Sequence, residues 1–427
     1  MLSKKQNDLI TQTDPGTPMG GLMRRYWLPA FLTSEIPTPD CPPIQVRLLG
    51  EDLVAFRDTN GRIGLLAEHC HHRGTSLFYG RNEECGLRCV YHGWKYDVEG
   101  NVLDTPAEPA GSSFKDRVKT TAYATQEVGG IVWAYMGPPE LKPLFPAYEW
   151  ALVPTENCYV TKAHQECNYL QGLEGECDSS HLSFLHRFLN YQMPSDNPPR
   201  YETEETDFGV RLVALRDAAD GGCYVRVSSF MLPVGVAVPV GGGGTGLDTS
   251  QGYEVHFYTP RDDNSSWRFD FGFNRTRAIK PDEPVRAKAI GPDFRRFANA
   301  ENHYLIDREK QRTENYTGIT AFGMASFLGH DSMATESMGT RFDRSREHLG
   351  VSDAGVIVVR HRLLDAVQAY QRGDQPPHVI TDPAANDMAR VTSFADVQPD
   401  DDWRAHYPHL VGSLIETGVA AEPAAAR

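Results

Sequence analysis

Positive charge and long apolar runs are both scarce in this chain of 427 residues. Its 42 Lys and Arg are outnumbered by 57 Asp and Glu, so the formal net charge is -15. Nucleic acids and anionic membranes attract clustered Lys and Arg, so neither is an expected partner. No apolar run approaches the roughly 20 residues that span a bilayer. The start, MLSKKQNDLITQTD, lacks the apolar core of a secretory signal, which predicts a cytoplasmic protein.

Cysteine is also scarce, because eight cysteines in a chain of this length do not form the framework of a disulfide-stapled protein. Cysteines that cluster with histidines are more typical of metal ligands. A hydrophobic fraction of 40% with 10% aromatic residues is enough for a large core. The length exceeds that of most single domains and favours two.

The hydrophobic pattern changes along the chain and predicts two folded regions. The segment before residue 40 is predicted to be helical, with Pro29 interrupting it. Alternating apolar segments follow, and Asn60-Gly61 between two of them predicts a hairpin. The proline-rich stretch GPPELKPLFPAYEW is the candidate boundary. The expected divisions are a helical segment 1–39, an antiparallel β domain 40–145, a second domain 146–412 and a disordered tail 413–427.

The second region is predicted to begin with a helical segment, CNYLQGLEGECDSSHLSFLHRFL, and to continue with strands. In the strand SSWRFDFGF, one face carries four aromatic residues: Trp267, Phe269, Phe271 and Phe273. VGGGGTG (240–246) reads as a mobile loop. The segment SDAGVIVVRHRLLDAVQAYQRG is predicted to form an amphipathic helix that Ser352 caps and Gly373 ends.

Two short stretches near residues 70 and 90 each carry one cysteine and one histidine, with Cys-x-His spacing in the first and Cys-x-x-His in the second. Zinc sites favour Cys-x-x-Cys pairs or two histidines on a helix instead. One thiolate and one imidazole from each loop suit a [2Fe–2S] cluster in which cysteines hold one iron and histidines the other. The candidate ligands are Cys70, His72, Cys89 and His92.

The same stretches resemble the Rieske domain of ring-hydroxylating oxygenases, whose pattern is Cys-x-His-Arg-Gly and then Cys-x-x-His-Gly-Trp. Arg73 and Trp94 also fit that pattern. The family often has proline where this chain has His71, so two adjacent histidines compete, and the two-residue step from the cysteine favours His72. Cys85 is interpreted as a bystander, and structural zinc is the alternative occupant of this site.

A second group of metal-binding side chains follows in ECDSSHLSFLH: Asp178, His181 and His186. On an ideal helix a step of five residues turns about 500°, which leaves the two histidines about 140° apart. Both can bind one metal only if the helix widens or breaks between them. A π-bulge would bring them to nearly the same face.

Rieske oxygenases carry Asp-x-x-His-x-x-x-x-His at a similar distance after the cluster. The resemblance implies that His181 and His186 bind a mononuclear ferrous iron. Asp178 resembles the bridging carboxylate that links the iron-bound histidine of one subunit to a cluster histidine of its neighbour. The residues leave open whether that histidine is His72 or His92.

The third iron ligand of such a site is a carboxylate from elsewhere in the chain. HDSMATESMGTRFDRSREHLG resembles an element of the phthalate dioxygenase-type branch, and the resemblance implies that Asp331 is this ligand. The nearest competitors are Glu336 and Asp343. Alternatively, Asp331 only caps a helix.

By this resemblance the fold class is α+β: a small antiparallel β Rieske domain, then a helix-grip catalytic domain in which helices cover an antiparallel sheet. The function implied is the oxygenase component of a two-component system, which uses O₂ to hydroxylate or O-demethylate an aromatic compound, with an aromatic carboxylate expected. The chain lacks a dinucleotide-binding fingerprint, so the electrons of NADH would come through a separate flavin and iron–sulfur reductase. The family forms head-to-tail trimers or stacked pairs of trimers.

Three arginines in strand-like segments, Arg211, Arg226 and Arg268, are candidates to pair with a substrate carboxylate if one of them faces inward. Aromatic residues of SSWRFDFGF are expected to wall the pocket. Two other functions compete with the oxygenase. A pure Rieske-type electron carrier would not need the long second region, and a zinc-stabilised binding protein would have no redox role.

Overall fold

The computed structural model describes residues 2–109, 111–187, 198–218, 221–239, 251–280, 284–388 and 390–407. Its helices are α1 Lys4–Thr11, α2 Pro18–Met23, α3 Glu149–Leu152, α4 Tyr169–Cys177, α5 Arg308–Thr313, α6 Ser326–Glu336, α7 Ala354–Gln371 and α8 Trp403–His406. The glycine-rich segment 240–246 and the tail 413–427, for which the sequence predicts a loop and disorder, lie outside the described residues.

The helical prediction for residues 1–39 is only partly right. Ser3 caps α1 and Thr17 caps α2, but WLPAFL forms the buried strand β1. All six of its residues are buried, and it pairs with a later strand of the same β region. Pairing with a distant strand therefore decides the structure of this segment, against the helix predicted from its local sequence.

The N-terminal β region contains three small antiparallel sheets, in the orders β1-β10-β9, β2-β3-β4 and β5-β6-β7-β8. Asn60 and Gly61 lie in the turn of the β3–β4 hairpin, where Gly61 has a φ of 80°, so the hairpin prediction is confirmed. The strands are β1 Trp27–Leu32, β2 Ile44–Leu48, β3 Glu51–Arg57, β4 Ile63–Ala67, β5 Arg81–Glu83, β6 Gly86–Arg88, β7 Lys95–Tyr96, β8 Val102–Asp104, β9 Ala124–Val128 and β10 Ile131–Tyr135.

An eight-stranded antiparallel sheet dominates the second region, in the order β11-β17-β16-β15-β14-β13-β12, with β18 also paired to β14. Its strands are β11 Cys158–Gln165, β12 Arg200–Glu205, β13 Gly209–Asp217, β14 Cys223–Met231, β15 Gly235–Val238, β16 Glu254–Asp262, β17 Ser265–Phe273 and β18 Phe394–Gln398. The strand-like segments of the sequence are thereby confirmed. The α+β fold class is confirmed as well, since helices cover this sheet.

The two faces of β16 and β17 differ in polarity. Phe257 and Phe269 pair across the strands and join the main apolar core, where Phe257 packs edge-to-face on Trp133 of β10. The opposite face carries polar residues from both strands: Glu254, His256, Tyr258, Arg268 and Asp270. This polar face looks onto the cavity described below. The prediction that the aromatic face walls the pocket is therefore wrong.

Helices α4, α6 and α7 lie over the polar face of the sheet. Helix α4 approaches β16 very closely at Gly172, where a Cβ atom would lie 2.0 Å from the Tyr258 ring. Helix α7 confirms the predicted amphipathic helix, and Gly373 follows its end with a φ of 85°. Its N-cap is Asp353 rather than Ser352, because a 3₁₀ turn over Val351–Asp353 precedes it.

Two candidate metal centres

The first centre lies at the tips of two loops with the same backbone design. In one loop, Gly74 N donates to Cys70 O at 2.8 Å, and in the other, Gly93 N donates to Cys89 O at 3.0 Å. Both glycines have a positive φ, 78° and 76°, which closes each loop within four residues of its cysteine. The two loops therefore present their cysteines and histidines in matching positions.

The two cysteines of this centre are buried and the two histidines lie toward the surface. Cys70 and Cys89 are each 3% exposed, and Tyr96 Oη lies 3.2 Å from Cys70 Sγ. Burial is the main reason why the pKa of the Cys89 thiol is raised. The rings of His72 and His92 meet edge-to-face with centroids 4.4 Å apart. Two thiols and two imidazoles thus converge in one place.

His72 is better placed for this centre than its neighbour. Its ring stacks on Trp94 with an interplanar angle of 8°. The ring of His71 has no such contact with Trp94 or His92 in the described structure, and its backbone N–H donates to Tyr96 Oη at 3.1 Å. Cys85 lies outside the two loops, in the turn between β5 and β6, where Asn60 Nδ2 donates to its sulfur at 3.2 Å.

The second centre exists because helix α4 stops at Cys177. Asp178 has an extended backbone, and its Oδ1 accepts from Ser180 N at 2.6 Å. A side chain that bonds its own backbone two residues on competes with continuing the helix. His181 then begins a separate 3₁₀ turn, His181–Ser183. The chain therefore breaks between the aspartate and the histidines, and the described residues contain no π-bulge here.

The 3₁₀ turn ends at Ser183, between the two histidines, and both histidines lie next to one carboxylate of α6. Asp331 Oδ1 lies 2.8 Å from His186 Nε2 and 3.9 Å from His181 Nε2. One candidate ligand atom from each of the three residues can be chosen so that all lie within 4.8 Å of one another. Phe327, one turn before Asp331 on α6, stacks on the His186 ring at 3.6 Å and fixes its plane.

Burial and charge set the protonation of these three residues. Burial lowers the pKa of His186 to about 4, so the imidazole is neutral and able to bind a metal. Burial alone would raise the pKa of Asp331, but attraction to His186 and Arg268 outweighs it and holds that pKa well below its usual range. Burial would lower the pKa of His181, but the nearby carboxylate of Asp178, 3.6 Å from its Nδ1, raises it instead.

The competitors for the third position are engaged elsewhere. Glu336 pairs with Arg296 and accepts from Tyr304 Oη at 2.7 Å. Asp343 caps a 3₁₀ turn by accepting from Ser345 N at 3.1 Å. Asp331 lies inside helix α6 rather than at its N-terminus, which excludes the helix-capping alternative.

A cavity of about 290 Å³ opens beside the second centre. It is lined by the polar face of the sheet and by α4, α6 and α7, and His181, Asp331 and Asp178 all border it. Sequence reasoning missed most of this polar wall. The signal was present in EVHFYTPRD and SSWRFDFGF, where polar residues alternate with the apolar ones. These strands supply Glu254 and His256, which line the cavity, and Asp270, which lies 3.4 Å from His256; Glu176 and Arg286, from outside these strands, also line the cavity and were also missed.

The three predicted arginines have different surroundings. Arg211 pairs with Glu204 at 2.6 Å, on the edge of the sheet. Arg268 is 1% exposed and pairs with Asp270 and Glu176. Arg226 lines the cavity, and among the described residues no carboxylate lies within ion-pairing distance of it.

Both centres fit the metals that their donors favour. At the second, two imidazoles and a carboxylate form the donor set of a non-haem ferrous site, and the buried Nδ1 of His186 has no hydrogen-bond partner in the described structure. At the first, two buried thiols lie beside two imidazoles, the donor set of a Rieske cluster.

Comparison with known proteins agrees with this geometry. The Rieske [2Fe-2S] domain family matches residues 26–122, and the family "LigXa C-terminal domain like" matches residues 134–423. The phthalate 4,5-dioxygenase oxygenase subunit of Pseudomonas putida is 37% identical over 99% of each chain. The 3-chlorobenzoate-3,4-dioxygenase oxygenase subunit of Comamonas testosteroni is 32% identical over 97% of this chain and all of that one.

Among solved structures, the NdmA QL mutant of Pseudomonas putida CBB5 with caffeine superposes with a TM-score of 0.62, covering 88% of this chain and 97% of that one. Its 19% identity shows the fold alone. The chain belongs to the Rieske non-haem iron oxygenases, as an oxygenase subunit of the phthalate dioxygenase type. It is thus an oxidoreductase with a [2Fe–2S] cluster and a mononuclear iron. No helix in the described part of the chain is long and apolar enough to cross a membrane.

Proposed function

We propose that this oxygenase inserts oxygen into an aromatic carboxylate and that Arg226 binds the carboxylate. The observation that carries the proposal is a cation facing the cavity without a carboxylate of its own among the described residues. The other cavity arginines are neutralised: Arg286 pairs with Glu254 at 2.8 Å, and Arg360 pairs with Glu174 at 2.6 Å. The two relatives named above act, by their names, on phthalate and 3-chlorobenzoate, which are aromatic carboxylates.

We further propose the roles of the site residues. Cys70, His72, Cys89 and His92 hold the cluster, and His181, His186 and Asp331 hold the iron. When bound, the cluster supplies electrons singly and the iron provides the place where O₂ is reduced. Asp178 lies beside His181, with its Oδ2 3.6 Å from His181 Nδ1 and its side chain 24% exposed. It is therefore suited to carry electrons inward from another copy of the chain.

The protein's own side chains then do three things. The Asp331 carboxylate stays charged and the His186 ring stays neutral, so both can act as metal ligands at neutral pH. The apolar part of the cavity wall, which includes Leu182 and Phe327, excludes water from the aromatic ring of the substrate. Arg226 orients that ring by its carboxylate.

The assembly and its partner are part of the same proposal. Residues 40–145 carry the cluster and residues 146–412 the iron, a homo-oligomer (a trimer or a stacked pair of trimers) brings them together, and an NADH-dependent flavin and iron–sulfur reductase supplies electrons. The exposed side chain of His72 supports contact with a second copy. All eight cysteines are unpaired, which supports a reducing, cytoplasmic location.

The test is product analysis with a panel of carboxylated and methoxylated aromatics, a surrogate reductase, NADH and labelled O₂. Label should appear in the product of at least one acid. Arg226→Gln should raise KM for that acid by about 10- to 100-fold, since a charge-assisted hydrogen bond contributes about 1.5–3 kcal/mol. It should leave KM for the corresponding neutral amide unchanged.

Arg211→Gln is the matched control, because it removes an arginine of the same sheet that already pairs with Glu204. It should leave KM for both substrates as in the wild type. If Arg226→Gln bound the acid as well as the wild type does, the carboxylate assignment would be wrong. Labelling of neutral aromatics alone would contradict the substrate class. The positions of the label distinguish dihydroxylation, monohydroxylation and O-demethylation.

A further inference from the structure

One buried arginine has no carboxylate partner within the described residues. Arg216 of β13 is 1% exposed, and burial lowers the pKa of its guanidinium. Its Nη2 donates to Ser179 O at 2.5 Å and its Nη1 donates to Ser179 Oγ at 3.0 Å, while its Nε has no partner. Burying a charge without an opposite charge costs free energy, so an arginine at this position is expected to have a specific role. Both of its bonds go to a single residue, in the turn after α4.

A tyrosine from the neighbouring strand holds the same turn. Tyr201 Oη, on β12, accepts from Ser179 N at 2.7 Å and donates to Asp178 Oδ1 at 3.3 Å. From the other side, Ser180 Oγ donates to Ser352 O at 3.2 Å, just before α7. The turn over residues 178–180 is therefore attached to two strands of the sheet and to the start of α7.

These contacts fix the orientation of the Asp178 carboxylate. Its Oδ1 is occupied by Ser180 N and Tyr201 Oη, so its Oδ2 is the oxygen that faces His181 Nδ1 at 3.6 Å. Without Arg216 and Tyr201, the turn would keep its own Asx hydrogen bond and the bond from Ser180 Oγ to Ser352 O, neither of which fixes its position against the sheet. The carboxylate would then be free to rotate away from His181.

We propose that Arg216 and Tyr201 form a clamp on the turn 178–180 and act as positioning residues for electron transfer. The clamp would hold Asp178 at the place where, with both metals bound, single electrons would pass from the cluster of a second copy toward the iron held by His181, His186 and Asp331. The reductase would replace each electron, and O₂ would be the final oxidant. This inference rests on the proposed role of Asp178 as the bridge. It adds the residues that keep the bridge in place, neither of which binds a metal or lines the wall beside His181 and Asp331.

The experiment separates electron transfer from the chemistry at the iron. Fully reduced, iron-loaded enzyme with a carboxylate substrate is mixed with O₂, and oxidation of the cluster is followed by its visible absorbance. In parallel, hydrogen peroxide replaces O₂ and the two electrons, so the product forms without transfer from the cluster. Cobalt(II) binding to iron-free protein measures whether the three metal ligands keep their positions.

Tyr201→Phe and Arg216→Gln should each slow cluster oxidation about tenfold or more, since small misplacements of reacting groups cost factors of this order. Arg216→Lys, which retains the charge and one donor, should recover part of the rate. Peroxide-driven product formation and cobalt affinity should stay within about twofold of the wild type. Tyr253→Phe is the control: it removes a buried hydroxyl that donates to Val391 O at 2.7 Å, away from the turn, and should leave all three measurements unchanged.

Equal losses in all three measurements would show that the residues only support the fold, and no loss of cluster oxidation in Tyr201→Phe would also overturn the clamp. Asp178→Asn distinguishes failure of the clamp from failure of the proposed Asp178 bridge. If it slows cluster oxidation while Tyr201→Phe does not, only the clamp fails. If Asp178→Asn itself leaves cluster oxidation unchanged, the bridge in the proposed function fails, and the clamp fails with it.

Discussion

The polar face of the sheet depends on Arg268, and its removal is the most direct test of how that face is held together. The guanidinium is 1% exposed and lies 2.7 Å from Asp270, 3.1 Å from Glu176 and 3.5 Å from Asp331. All three carboxylates are buried or nearly so. Arg268→Met keeps much of the volume but leaves their charges without this partner.

Removing one partner of a buried ion pair costs about 3–5 kcal/mol, because the remaining charge stays buried. At about 2–4 °C per kcal/mol for a domain of this size, the midpoint of thermal unfolding of Arg268→Met should fall by roughly 6–20 °C. Calorimetry or circular dichroism of the anaerobic, metal-loaded protein measures this shift. Arg268→Lys, which restores the charge, should recover part of it.

The matched control is Arg295→Met. Arg295 also contacts two carboxylates, Glu166 at 3.0 Å and Glu301 at 2.9 Å, but its side chain is 42% exposed. Exposed ion pairs contribute at most about 1 kcal/mol, so its unfolding midpoint should move by no more than about 4 °C. If the two arginine variants shifted the midpoint equally, burial would not be what makes Arg268 important and the reasoning would be refuted.

Three further outcomes can be checked. Asp331→Ala removes one of three converging donors, so metal analysis should show loss of the mononuclear iron with the visible bands of the cluster intact; retained iron would contradict the assignment. His72→Ala should abolish those bands and His71→Ala should not, and the opposite result would make His71 the ligand. Burial, and then the charge of Arg261, lowers the pKa of His164 to about 4, so below about pH 6.5 the unfolded chain binds more protons than the folded one. The free energy of unfolding should therefore fall between about pH 6.5 and 4, and His164→Gln should reduce that fall by up to about 3 kcal/mol in pH-dependent denaturation.

Features close together in sequence were predictable. Each cysteine of the first centre lies within three residues of its histidine, and a glycine with positive φ closes each loop, so local spacing carries nearly all of the information. A break between His181 and His186 was expected from their five-residue step, and the 3₁₀ turn that ends at Ser183 provides it. The earlier end of α4 at Cys177 was not expected, because it depends on the side chain of Asp178 bonding to Ser180 N.

Features assembled across the chain were not predictable from local pattern. Asp331 lies 145 residues after His186, and only a resemblance pointed to it. Alternation in β17 identifies two faces but not which of them meets the cavity; that choice is made by α4 packing on β16 at Gly172. For the same reason the contrast between Arg226, Arg211 and Arg268 appears only once their tertiary partners are known.

Strand β3 separates two apolar cores. Its Leu53 and Ala55 join the large core that also contains Trp133 and Phe257, whereas its Val54 belongs to a small core under the cluster loops. A chimaera that exchanged only the cluster-bearing cap, residues 68–122, between relatives would replace the small core apart from Val54, Phe56 and Leu66, and would leave the large core intact. A junction near residue 145 would instead separate aromatic rings that pack against one another. Recombination should therefore exchange the cluster-binding region more easily at residues 68–122 than at a junction near residue 145.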